Sequence, residues 1–67
     1  MELRDIGWAL GELSANHRDA VLLAGKGVSI EDAACQLAIP EGTFKSRVAR
    51  GRMRLRKLIE DRDARPL

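Results

Sequence analysis

Seven cations fall within thirteen residues: Lys45, Arg47, Arg50, Arg52, Arg54, Arg56 and Lys57. No acidic residue lies between Gly42 and Ile59. Cations at this density hold anions. Arginine in particular donates paired hydrogen bonds to phosphate oxygens or to the O6 and N7 of a guanine. Nothing else in the chain is spaced for chemistry. His17 is the only histidine and has no metal-ligating neighbours in the sequence. Cys35 is the only cysteine, stands on the polar side of its expected helix, and has no His or carboxylate placed to activate it. No carboxylate pair or Cys/His set stands at catalytic spacing, and so short a chain leaves no room for a substantial pocket. An enzyme, a bound metal and a cofactor are therefore not expected.

The cations must be positioned by a helix. Phe44, Val48, Leu55 and Leu58 recur at spacings of three, four and seven, with Gly51 filling the gap, which makes one stripe of a helix over Pro40 to Ile59. Pro40 suits the first turn, where a missing N–H costs nothing, and Glu41 complements the positive end of the helix. Opposite the Phe44 stripe lie Gly42, Lys45, Ser46, Ala49, Arg50, Met53 and Lys57. Small residues there let the backbone approach a surface, and the cations beside them reach phosphates or base edges. The major groove of B-DNA is about wide enough for one such helix. The plainer reading of the same stretch is a solvated basic face.

The rest of the chain bounds what this helix can belong to. Sixty-seven residues make one small domain with a marginal core. With only Trp8 and Phe44 as aromatics, the core is built of Leu, Ile, Val and Ala, which suits packed helices. The net charge is +2, but residues 1–44 carry three Lys/Arg against seven Asp/Glu, and residues 45–67 carry nine against three, giving −4 and +6. That asymmetry implies a polyanionic partner for the basic end. A single cysteine fits a reducing compartment, and no apolar run approaches the ~20 residues that span a membrane, so the expected setting is the cytoplasm.

Three shorter helices precede the basic one. The first is expected over Glu2 to Leu13, burying Leu3, Ile6, Leu10 and Leu13. Trp8 stands nearly opposite that stripe, either covered by the chain folding back or offered to a partner. Ser14 and Asn16 can each cap the second helix, His17 to Ala24, whose Ala20–Ala24 run is apolar all round. Gly25 and Gly27 end it. Ser29 opens the third, with Asp32 placed as in a capping box. That helix ends near Ala38, because Pro40 pushes Ile39 out of the α region. The break from Leu37 to Glu41 has the length of a helix-turn-helix turn. The expected fold is thus all-α: four helices containing a helix-turn-helix, with a long C-terminal recognition helix. Val21, Leu22, Leu37, Phe44, Val48 and Leu55 join the core. The domain is expected over residues 1–62, with a polar tail at 63–67.

The run from Gly27 to Ile59 closely resembles region 4 of the sigma-70 family, most nearly the extracytoplasmic-function group of bacterial RNA polymerase sigma factors. The resemblance rests on Gly27-Val28-Ser29-Ile30-Glu31-Asp32-Ala33-Ala34, on Gly42-Thr43-Phe44-Lys45-Ser46-Arg47, on Arg50-Gly51-Arg52, where the family pattern has alanine at the centre, and on Leu55-Arg56. Upstream, Leu13 to Leu23 is similar through His17 and Arg18. Ser14 stands where proline is common, Ile30 replaces a frequent aromatic, and the Leu23–Gly27 segment is shorter than usual.

What the resemblance implies is a sequence-specific module for the promoter −35 element, its last helix in the major groove of double-stranded DNA. Lys45, Ser46, Ala49 and Arg50 match base-reading positions. Thr43 and Arg47 lie where backbone contacts are expected, and Arg54 is placed to reach phosphates as the helix leaves the groove. The family also implies RNA polymerase core as a partner, through the flap of its β subunit, and often an anti-sigma factor, for which Trp8 is the candidate contact. No small-molecule substrate and no membrane are expected. Two other readings fit: a sigma-like decoy that occupies an anti-sigma factor, and a LuxR-type regulator output domain, which the short Leu23–Gly27 segment suits. Nothing here resembles the promoter-melting region 2, so the chain is expected to be part of a longer sigma factor or unable to start transcription alone.

Overall fold

A computed structural model describes residues 7–64, and within them every regular element is a helix. The helices are α1 Gly7–Gly11, α2 Ala15–Gly25, α3 Ile30–Leu37 and α4 Glu41–Ala64. The long axis is 43 Å, against 18 and 14 Å across. That elongation follows from α4, whose 24 residues at ~1.5 Å each make a rod of about 36 Å. The other three pack along it, α2 most extensively. The expected burial of Leu3 and Ile6 lies outside the described residues.

Each short helix is set by its ends. Ser14 caps α2 in an extended conformation, and the His17 N–H donates to its Oγ at 3.4 Å. Asn16, the other candidate cap, is inside the helix: Ser14 comes first and satisfies the free donor. Ser29 caps α3 the same way, its Oγ accepting from the Asp32 N–H at 3.1 Å. The two C-termini use one device. Gly27 takes φ 78° after α2, and the Val28 N–H reaches back to the Leu23 carbonyl at 3.4 Å. Ala38 takes φ 56° after α3, and the Ile39 N–H reaches the Ala34 carbonyl at 3.0 Å. These are Schellman-type ends, in which a left-handed residue lets the chain satisfy its last carbonyls and turn away. Pro40 then stands just before α4 rather than in its first turn, its carbonyl accepting from the Phe44 N–H at 3.1 Å.

The core is small and made largely of alanine. Ala20 of α2, Ala33 and Ala34 of α3, and Phe44 and Val48 of α4 form one buried cluster, flanked by Leu23, Val28, Leu37 and Ile39. Alanines at the crossing let α2 and α3 close on the Phe44 ring, which is 2% exposed. Leu10 and Leu13 are buried as expected, beside Ala9. Val21, Leu22, Leu37 and Leu55, expected in the core, are only half-buried. Four helices of this size have too little interior to enclose every apolar face. Past the core, α4 continues to Ala64 instead of ending at Ile59. Its last turns meet α1, where the Arg62 guanidinium sits 4.7 Å from the centroid of the Trp8 ring.

Candidate nucleic-acid interface

The site begins at Gly51. This residue is buried where α4 crosses α2. A Cβ there would stand 2.5 Å from Cγ2 of Val21 and 3.2 Å from the carbonyl oxygen of His17. Only a bare α-carbon permits that approach. With Phe44 and Val48 locked in the core and Gly51 against the backbone of α2, the first three turns of α4 have one orientation. The opposite face is turned to solvent.

That outward face carries the expected residues. Lys45, Ser46, Ala49, Arg50 and Arg54 are exposed, while Thr43 and Arg47 are half-buried at one edge. Gly42, Met53 and Lys57 extend the face along the rod, all exposed. A shallow concavity flanks it on each side. One is polar, lined by Ser14, Asn16 and His17 from the start of α2 and by Thr43, Ser46, Arg47 and Arg50 from α4. The other has an apolar floor of Val28, Ile30 and Val48, rimmed by Lys45, Ala49 and Arg52. The structure therefore gathers Thr43 through Arg50 into one continuous surface, with Arg54 one turn beyond Arg50.

The start of α2 was not legible as part of this surface. Asn16 and His17 reach it only because Gly51 lets α2 close on α4, and no periodicity within α2 encodes that. Trp8 stands apart, at the far end of α4 in a cleft with Leu58, Asp61 and Arg62. It is 37% exposed, so Arg62 and Leu58 cover it only partly. The chain thus folds back over part of the ring and leaves the rest exposed.

The surface is suited to binding an anionic partner. Among the described residues no polar or charged side chain is buried, and no three His, Cys, Asp or Glu side chains gather as a metal site. No helix among them is long and apolar enough to cross a membrane. A protruding helix with cations around a strip of small side chains fits a groove walled by phosphates. It brings charge to the walls and little bulk to the floor.

The family model described as sigma-70, region 4, fits residues 3–55 of the chain. No curated protein and no solved structure matches the chain.

Proposed function

The chain belongs to the sigma-70 region 4 family, and from that premise we propose that it binds duplex DNA at the promoter −35 element through the outward face of α4, as part of a sigma factor of the extracytoplasmic-function type. One observation carries the reading. Lys45, Ser46, Ala49 and Arg50 share the exposed face of the helix that follows the Ala38–Pro40 turn, and the buried Phe44, Val48 and Gly51 fix that face outward. In this reading Lys45, Ser46, Ala49 and Arg50 meet base edges. Thr43, Arg47 and Arg54 meet phosphates. The module performs no catalysis of its own and works in the cytoplasm, with RNA polymerase core, through the β flap, as its protein partner. The family match favours this over a LuxR-type output domain.

A second reading is favoured by the exposed edge of Trp8: a decoy that occupies an anti-sigma factor and reads no DNA. Selection of bound sites from random duplex DNA separates the two. A base-reading module enriches a defined sequence and prefers it to a scrambled duplex by ~10³-fold or more. A decoy enriches none.

A further inference from the structure

Met53 is the most exposed of the large apolar side chains described, at 70% against 40% for Ile30 and 37% for Trp8. Its place on α4 is not arbitrary. It lies nine residues beyond Phe44, so it points directly away from the buried stripe. It stands one turn past Ala49 and two turns past Ser46, on the line of the candidate base-reading residues, and cations surround it: Arg50, Arg54, Arg56 and Lys57. Nothing in the fold uses it. An isolated exposed apolar residue is ordinary on a mixed surface. Here it is the apolar centre of a face whose charge selects a polyanion.

The major groove offers such a side chain one apolar partner, the C5-methyl group of thymine. The unbranched thioether of Met53 can fit itself to a methyl group on the groove floor, as methionine does in irregular gaps. We propose that Met53 is a specificity-determining residue that packs on a thymine methyl towards the C-terminal end of the α4 contact, one turn beyond the base pair that Ala49 faces. The inference rests on the DNA-binding reading above and adds a residue and a base feature to it.

The test uses the 67-residue chain and the duplex it selects from a random pool. Each thymine in the bound segment is replaced singly by uracil, which removes the methyl group and keeps the pairing. Wild type should bind one such duplex about fourfold more weakly, the worth of one buried methyl group. Met53→Ala should bind the parent duplex several-fold more weakly, be indifferent to that same replacement, and keep the wild-type salt slope, since no charge is lost. Met53→Leu should retain the methyl sensitivity. Equal uracil sensitivity in wild type and Met53→Ala, or none at any thymine in wild type, overturns the inference while leaving the proposed function standing. A chain that selects no sequence overturns both.

Discussion

The carbonyl oxygen of His17 lies 3.2 Å from the point where a side chain on Gly51 would begin, with Cγ2 of Val21 at 2.5 Å on the same side. One missing methyl group therefore sets the distance between α2 and α4, and with it the wall of the polar concavity beside Arg47 and Arg50. Helix propensity and packing make opposite predictions for Gly51→Ala. Propensity alone favours alanine by ~1 kcal/mol. Overpacking costs ~1–3 kcal/mol, and neither neighbour moves freely: one is backbone, the other a β-branched side chain with a stiff χ1. The net loss should lower the melting temperature by several degrees for a domain of this size. A melting temperature raised by alanine would mean that the two helices do not approach this closely.

The two left-handed helix ends give a paired stability test. Ala38 at φ 56° carries a strain of ~1–2 kcal/mol that glycine does not feel, so Ala38→Gly should raise stability by about 1 kcal/mol. Gly27→Ala, at φ 78°, should lower it by a similar amount. Urea unfolding of the two variants beside wild type reads both signs, and a loss on Ala38→Gly would contradict the turn geometry.

Phe44 is the largest of the buried side chains among the described residues, at 2% exposure. Phe44→Ala should cost ~3–5 kcal/mol, most or all of the stability of so small a domain. Its far-ultraviolet circular dichroism should show a chain largely unfolded at 37 °C, and a cooperative melt like that of wild type would remove Phe44 from the core.

The Trp8–Arg62 pair ties α1 to the end of α4 across a partly exposed ring. Such a pair is worth ~0.5–1 kcal/mol at an exposed site. Arg62→Gln should cost about that much in urea unfolding and change the fluorescence of the sole tryptophan. An unchanged spectrum would show that the ring is not covered by Arg62 in solution.

Much of this was legible in the sequence, for identifiable reasons. The Phe44–Val48–Gly51 stripe repeats with the period of a helix, so spacing alone marks both the buried face of α4 and the residues opposite it. Ser29 and Ser14 are cap residues before apolar runs, and both cap. What was not legible depends on contact between elements. Gly51 reads as a gap in a stripe until α2 is seen against it. Ala38 carries none of the glycine or asparagine signal of a left-handed end, and only Pro40 marks the turn. Val21, Leu22, Leu37 and Leu55 were expected to be buried because apolarity alone does not tell how little interior four short helices enclose. The reach of α4 to Ala64 was missed because the residues after Ile59 are polar and carry no apolar stripe, and the contact of Arg62 with α1 is not visible in the sequence.

The most direct test of the central claim, that one face of α4 reads bases while its flank holds phosphates, compares Arg50→Ala with Arg54→Ala. Both arginines are exposed, Arg50 on the outward face and Arg54 one turn further and about 40° round the helix. Each variant is titrated against the selected duplex and a scrambled one at several salt concentrations. Wild type should show a log–log salt slope between about −3 and −6, reflecting several neutralised phosphates at roughly −0.9 each. Arg50→Ala should lose ~1–3 kcal/mol on the selected duplex and little on the scrambled one. Arg54→Ala should weaken both alike and make the slope shallower by about one. Equal losses on both duplexes for Arg50→Ala, with a preference as sharp as that of wild type, would contradict the account and leave α4 as a basic surface without a reading face.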